Sequence, residues 1–545
     1  MMDVALLDSL QAGAVALSAP LFLIVAAVVV LMSDIAGRRS ALRSWTPFFA
    51  YFGVLGAGAI AWRQAAELAT TEVTRLGTSA TNLFWGGGVA FDSFGIGINL
   101  VLSVAALLTL LMSGRYLEER GLPRGEFFAL ILFATAGAMI MGQSADLINL
   151  FVGLEVLSVA LYILIGFARK DRKSEESAVK YFLLGAFASG FLLYGIALVY
   201  GAAGITAATL QITAGHSLTS FSSLSELLQK SAGTAHPLIA QPLFVVGVAF
   251  LLVGLGFKAA LAPFHSYAPD VYEGAPSPVA GFMSAAAKLG AFGGLIRLML
   301  PIVSQGDSAA LFRTLLWVVA LLTMVIGNVM AFRQTNLKRM LAYSSIAHAG
   351  YILVGVLAGC TQRGALAAEG VLFYLFAYTL MNLGSFAIPV WLGKGGDEAS
   401  EISELAGLGR RNPLAAGLLT IFMLSLAGVP PTVGFLGKLY LFLGAWRAGF
   451  PGLSVTALLL SGLGLFYYLN VVMKLYFEEG RTGESEPGRP DARRAALLAG
   501  IATVLFGLVP LGVLAPRIGA ARAIAPVAEA PSTPTAGGSI EAPSH

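Results

Sequence analysis

The sequence predicts an all-α polytopic membrane protein, and three observations lead there. Hydrophobic residues make up 57% of the 545-residue chain and charged residues 12%, whereas a soluble domain carries about 25% charged residues. Mean hydropathy is +0.80, more apolar surface than a soluble core could hide. Mostly apolar runs of roughly 17–25 residues, enough to cross the hydrocarbon of a bilayer, recur about fourteen times.

The runs lie near 16–34, 46–62, 91–113, 125–142, 147–168, 178–201, 241–262, 278–300, 309–332, 340–358, 368–392, 413–446, 453–477 and 494–514. The first has no basic residues ahead of it, only Asp3 and Asp8, so it reads as a retained span and not a cleaved signal. The twelfth is too long for one straight helix and holds Pro430 and Pro431, so it reads as discontinuous. The largest loops, about 63–90 and 202–240, carry little charge and leave no room for a soluble domain. Residues 515–545, rich in Ala and Pro, read as a disordered tail. Cys360 is the lone cysteine, which excludes an intramolecular disulfide and argues against a Cys-ligated centre. The 64 glycines suit close helix packing in lipid, and a net charge of +4 gives no reason to expect nucleic acid.

Basic residues set the expected orientation. Arg38, Arg39 and Arg43 follow span one, Arg115, Arg120 and Arg124 span three, and Arg169, Lys170, Arg172 and Lys173 span five. Arg333, Lys338 and Arg339 follow span nine, Lys394, Arg410 and Arg411 span eleven, and Arg481, Arg489, Arg493 and Arg494 span thirteen. By the positive-inside rule the loops after odd-numbered spans face the cytoplasm, with both termini outside.

Against this apolar background, ionisable residues inside spans mark function, because a charge at mid-bilayer is costly. Glu155 (NLFVGLEVLSVALYIL), Lys258 (GLGFKAALAPFHSY), Lys288 (GFMSAAAKLGAFGG), Lys438 (LAGVPPTVGFLGKLYLF) and His348 (AYSSIAHAGYILVG) stand out. Lys180, Arg297 and Arg313 lie close to span ends and are expected to snorkel to the interface. Proline offers a second line of argument, since within a helix it removes one backbone bond and clashes with the carbonyl four residues back. Pro263 is expected to free the carbonyl of Ala259, beside Lys258, and Pro431 that of Ala427, with Lys438 on the same face. Freed backbone survives in lipid only where it lines an enclosed or watery cavity, so a charge beside a break points to an ion path. Ser344, His348 and Tyr351 form a polar stripe at i, i+4 and i+7, suited to relaying protons; Tyr378 and Asn382 could extend it. His265, near Asp270 and Glu273, lies in a Pro- and Gly-rich turn at the cytoplasmic end of span seven and is not expected to bind metal. The sequence has no P-loop, dinucleotide fingerprint or HExxH motif.

The stretches SADLINLFVGLEVLSVALYIL, KAALAPFHSYAPDVYEGAPSPV, LAYSSIAHAGYILVG and LAGVPPTVGFLGKLYLF resemble the antiporter-like subunit family of the proton-pumping NADH:quinone oxidoreductase, respiratory complex I. The similarity runs from about residue 90 to 480, and PDVYEGAPSPV is the wording of its subunit N branch. The sibling L and M subunits and multisubunit Na+/H+ antiporters share the Lys–Glu pairs and broken helices. M usually has glutamate where Lys438 stands. One departure is Tyr267, where the family commonly has Trp.

The resemblance implies two inverted five-helix repeats with discontinuous helices seven and twelve. It implies a division into 1–90 (two helices and an outer loop), 91–124 (the third helix and a cytoplasmic loop), 125–300 (first repeat), 309–477 (second repeat), 478–514 (a cytoplasmic loop and the last helix) and the tail. It also implies roles: Glu155 paired with Lys258 in the first half-channel, Lys288 towards the middle, His348 along the axis, and Lys438 in the second half-channel. His265, Pro263, Ser344, Tyr351, Pro430 and Pro431 would support them. The subunit would hold no cofactor, with NADH, FMN, iron–sulfur clusters and quinone on other subunits. Its partners would be an M-like antiporter subunit, small hydrophobic subunits and the lipid of a bacterial inner (plasma) membrane. Two rival readings are a Na+/H+ antiporter subunit and an inert subunit whose polar residues only hold helices together.

Overall fold

The computed structural model describes residues 13–36, 45–74, 82–85, 87–212, 217–361, 363–393, 398–479 and 488–508. The expected tail, and Arg38, Arg39, Arg43, Lys394 and Arg481 of the basic loops, lie outside the described residues. Each expected span coincides with a helix or, for the twelfth, a pair of half-helices. These are α1 (Ser18–Ala36), α2 (Thr46–Thr74), α3 (Ser93–Glu119), α4 (Arg124–Gln143), α5 (Leu147–Ile165) and α6 (Arg172–Thr209). After a short amphipathic helix α7 (Phe221–Ser231) come α8 (Pro242–Ala259), α9 (Ala268–Gly274), α10 (Ser277–Val303), α11 (Ala310–Ala331), α12 (Leu337–Gly359) and α13 (Ala365–Leu392). The chain continues through α14 (Leu408–Arg411), α15 (Pro413–Ala427), α16 (Val433–Arg447), α17 (Pro451–Phe477) and α18 (Pro490–Leu508). Among the described residues, eleven helices are each long and apolar enough to cross a membrane. A short antiparallel ribbon, β1 (Asn82–Phe84) with β2 (Val89–Phe91), and the short helices α7, α9 and α14 are elements the hydropathy pattern did not foretell.

Two sets of five spans repeat one plan: α4, α5, α6, α8/α9, α10 and then α11, α12, α13, α15/α16, α17. The fourth member of each set is the broken one. Five is an odd number, so the second set begins on the opposite side from the first and runs inverted.

The two breaks close alike. At α8, Ala260 takes the left-handed conformation (φ 56°), and the Leu261 N–H donates to Gly256 O at 2.8 Å. At α15, Gly428 does the same (φ 89°), and the Val429 N–H donates to Leu424 O at 2.9 Å. Both are Schellman closures, which satisfy carbonyls that a helix end leaves open. This corrects the proline argument at the first break. The helix has already ended at Ala259 when the chain reaches Pro263, which lies exposed in the turn. Pro430 and Pro431 likewise sit in the turn after α15.

Burial is uneven across the helices. α10, α12 and α13 are almost wholly enclosed, whereas α6, α11 and α17 show broad apolar faces such as Phe182, Phe187, Leu322, Leu459 and Phe466. The enclosed three form an axis, and a polar group there cannot reach the interface. Close contact is made with small residues: a Cβ at Gly327 of α11 would lie 2.4 Å from the backbone N of Ala347 in α12. Gly327→Leu should therefore force α11 from α12 and destabilise the purified protein by about 1–3 kcal/mol. An unchanged thermal midpoint in detergent would refute this contact.

Candidate functional site

Lys258 is buried near the end of α8, two residues before the left-handed Ala260. Its Nζ lies 3.4 Å from the hydroxyls of both Tyr162 (α5) and Tyr181 (α6). The same nitrogen sits 5.0, 4.9 and 5.4 Å from the ring centroids of Tyr162, Tyr181 and Phe257. Three ring faces and two phenol oxygens thus receive the ammonium group, a set of contacts that favours a cation. Tyr267 braces this cage from the N-cap of α9. It packs 4.3 Å from the Phe257 ring and 5.2 Å from that of Tyr181, and it donates to Phe257 O at 2.8 Å.

Glu155 lies on α5 one face-repeat before Tyr162. Its charge acts on Lys258, but the two form no direct ion pair, and Glu155 Oε1 is buried without a hydrogen-bond partner. His265 is half-buried in the turn between α8 and α9, its Nδ1 also unpartnered.

Lys288 lies mid-α10, fully enclosed, and donates to both the carbonyl and the hydroxyl of Ser345 on α12. The hydroxyls of Ser345 and Tyr272 lie 3.4 Å apart, which links Lys288 back to α9. Tyr378 of α13 presents its ring 4.9 Å from Lys288 Nζ and 5.3 Å from the His348 ring. Asn382, one turn on, donates to Ser284. The Tyr378 hydroxyl and Asn382 Oδ1 are buried without partners.

His348 is contacted through both ring nitrogens: Nδ1 meets the Tyr374 hydroxyl at 2.5 Å and Nε2 the Tyr468 hydroxyl at 3.0 Å. Tyr468 also meets the Ser344 hydroxyl at 2.5 Å. Tyr351 completes the expected stripe, accepting from Asn328 Nδ2 at 2.9 Å and turning its ring to within 5.2 Å of Lys438 Nζ. Lys438, in α16, donates to Leu426 O (2.7 Å), Ala427 O (3.0 Å) and Ser461 Oγ (2.8 Å). The Leu426 and Ala427 carbonyls at the end of α15 are thus satisfied by the lysine itself, opened by the helix end at Gly428 and not by Pro431 within a helix. From Tyr272 to Lys438 the enclosed polar groups contact one another, and the Lys258 cage joins them through Tyr267 at the start of α9.

Sequence reasoning missed Tyr162, Tyr181, Tyr272, Ser345, Tyr374, Tyr468, Asn328 and Ser461. Their signal was faint, since hydroxyl and amide groups in apolar helices are common and only their convergence singles these out. It also misjudged Arg297. Far from snorkelling, Arg297 is 8% exposed and makes two 2.7 Å bonds to Asp92, which is 2% exposed, plus one of 2.9 Å to Gly142 O. Asp92 caps α3 as well, accepting from Gly95 N at 2.7 Å. Lys180, also expected to snorkel, instead pairs with Glu176 and Asp270.

Further ion pairs lie at helix ends and turns. Asp270 and Glu273 of α9 receive Lys180, Lys173 and Arg339, which hold both carboxyls below the usual range although burial alone would raise them. Lys338 donates to Glu398 at 2.9 Å and to Ala275 O at 2.7 Å, and Glu398 also accepts from the N–H and hydroxyl of Ser277. Burial alone would raise the Glu398 carboxyl, but Lys338 and Ser277 outweigh it and hold the group down to about 2. Arg489 pairs with Glu119 at 2.8 Å. Basic residues after spans five and nine thus meet the acids of α9, and Arg489 after span thirteen meets Glu119 at the end of span three.

Comparisons with known proteins show the family to which the chain belongs. Residues 144–464 match the family model described as NADH:quinone oxidoreductase/Mrp antiporter, TM. The chain is 41% identical over 438 residues to NADH-quinone oxidoreductase subunit N of Trichlorobacter lovleyi, covering 80% of this chain and 82% of the relative. It is 39% identical over 507 residues to the subunit N of Chloroflexus aggregans, covering 92% and 95%. Among solved structures it is similar to a chain of the respiratory complex I from Thermus thermophilus with bound Aureothin. The TM-score is 0.70 at 31% identity, covering 91% of this chain and 98% of that one. A chain of the Mrp complex from Dietzia sp. shares the fold, with a TM-score of 0.73 at 22% identity over 94% and 96%.

Two ion pairs give direct tests. Arg297→Met strands the buried Asp92 carboxylate and should cost about 3–5 kcal/mol of stability, part of which Asp92→Asn in the same chain restores. A wild-type thermal midpoint for Arg297→Met would exclude a structural role for the pair. Because the Glu398 carboxyl is held down, its contribution is complete above the ordinary value of 4.5 and fades as pH falls towards 2. Glu398→Gln should lower the midpoint at neutral pH and remove that acid-dependent loss, measured as midpoint against pH.

Proposed function

Since the chain belongs to the antiporter-like subunit N family of NADH-quinone oxidoreductase, we propose that its axis of buried lysines and histidine carries protons across the membrane. In this reading the subunit performs no redox chemistry. NADH, flavin, iron–sulfur clusters and quinone act on other subunits, and redox events there drive the proton steps here. Residues 125–300 and 309–477 are then the two functional halves, flanked by 1–90 and 91–124 before them and by 478–514 and the 515–545 tail after them. Lys258 with Glu155 serves the first half, Lys288 and His348 the link, and Lys438 the second; His265, Pro263, Ser344, Tyr351, Pro430 and Pro431 shape their surroundings.

The observation that carries the reading is the set of enclosed polar groups that contact one another from Tyr272 to Lys438, with the Lys258 cage joined to them through α9. Residues that served only to hold helices together would be paired off. Instead Glu155 Oε1, the Tyr378 hydroxyl and Asn382 Oδ1 are buried without partners beside the lysines, and such groups are the ones water satisfies in proteins. The energetics suffice. Bringing Glu155 to about 4 Å from Lys258 at an effective dielectric of about 20 is worth roughly 4 kcal/mol. Moving one charge against 100 mV requires about 2.3 kcal/mol. Approach of the carboxylate therefore holds a proton on the lysine, and its withdrawal or protonation releases it.

The basic loops face the cytoplasm of a bacterial plasma membrane in this reading, which puts both termini outside. The contacts of Lys173 and Arg339 with Glu273 and of Arg489 with Glu119 support it. The neighbours are an M-like antiporter subunit and small hydrophobic subunits.

Lys258→Ala in the assembled complex should abolish or severely depress proton pumping while the complex still oxidises NADH, and Lys438→Ala should do the same. An unchanged proton-to-electron ratio in closed vesicles would sink the assignment.

A further inference from the structure

We propose that Tyr162 is a positioning residue for the first half of the path: its hydroxyl, seated in a notch at Gly185, receives the Lys258 ammonium group and holds it in place. The inference rests on the proton-path reading and adds to it a residue acting through Lys258.

Three features converge on this hydroxyl. Tyr162 follows Glu155 by seven residues on α5, so both side chains leave the same face. Helical side chains lean towards the N-terminus, which carries the phenol back beside Ser158. The hydroxyl lies 3.4 Å from Lys258 Nζ, and the ring face also contacts that nitrogen. Glu155 acts electrostatically on both Tyr162 and Lys258.

The second feature is a pair of orphaned atoms. Glu155 Oε1 and Ser189 Oγ are buried with no hydrogen-bond partner among the described residues, and Ser158 and Ser189 both lie beside the Tyr162 hydroxyl. A phenol accepts through its oxygen and donates one proton. With Lys258 as donor to it, the Tyr162 proton remains to be given, and Ser189 Oγ is the unpartnered acceptor beside it.

The third feature is the space it occupies. A Cβ at Gly185 of α6 would lie 2.2 Å from the Tyr162 hydroxyl and 2.9 Å from its ring. Gly185 has ordinary helical backbone, so its lack of a side chain matters for room alone: it leaves a notch that seats the hydroxyl. The titratable groups facing this notch are Glu155 on α5, Tyr181 on α6 and Lys258 on α8. Tyr267, at the start of α9, packs behind Tyr181, and the Lys180–Asp270 pair lies one residue beyond it.

The test uses the assembled complex in closed vesicles, with protons pumped per NADH oxidised followed as a function of pH and each profile normalised to its own maximum. Tyr162→Phe keeps the ring and removes the hydroxyl. Losing one acceptor for the ammonium group should move the alkaline limb to lower pH by about half a unit. Gly185→Ala keeps the hydroxyl but expels it from its notch and should shift the limb the same way, with no further shift in the double variant. A Tyr162→Phe profile that superimposes on the parent's, while Lys258→Ala loses pumping, overturns this inference and leaves the proton path standing. Full pumping by Lys258→Ala overturns both. If Gly185→Ala fails to assemble, Tyr162→Phe alone decides.

Discussion

The rest of the molecule is organised around the problem of holding ammonium groups inside an apolar bundle. A buried cation needs oxygen or π-electron density around it, and a continuous apolar helix offers neither. The structure supplies them in three ways. Lys258 is given phenols and ring faces, Lys288 a serine's hydroxyl and carbonyl, and Lys438 two carbonyls released by a helix break. The break at α15/α16 is thus a means of charge stabilisation as much as a bend. Its counterpart at α8/α9 closes on itself and leaves Lys258 to the aromatic residues around it.

All three lysines are received by neutral dipoles, and none touches a carboxylate among the described residues. That distinguishes them from Arg297, locked to Asp92 by paired short bonds, and from Lys338, locked to Glu398. A cation in a tight ion pair is held in place and keeps its proton, whereas one held by dipoles can exchange it. The structure therefore separates charges that brace the fold from charges that can work.

The bracing charges also join the repeats. Arg339, at the start of α12 in the second repeat, grips Asp270 and Glu273 on the short helix α9 of the first. One end of α9 carries Tyr267 into the Lys258 cage, and the other brings Tyr272 to Ser345, the partner of Lys288. Seven residues of helix thus touch the surroundings of two path lysines while being tied at a polar face. A shift of α9 would be felt at both.

Most of the fold was legible in the sequence, because span length, apolar composition and the placement of Arg and Lys are one-dimensional quantities set by the bilayer. The five candidate residues stood out for the same reason: Glu155, Lys258, Lys288, His348 and Lys438 interrupt runs where charge is expensive. The discontinuity at Pro430 and Pro431 could be read locally too. Tertiary structure alone decided who meets whom. That Arg297 finds Asp92 205 residues away, that Tyr162 and Tyr181 receive Lys258, and that Tyr374 and Tyr468 bracket His348 all depend on helix rotation and crossing. Those are set by packing between surfaces far apart in the chain, which no local pattern of residues records.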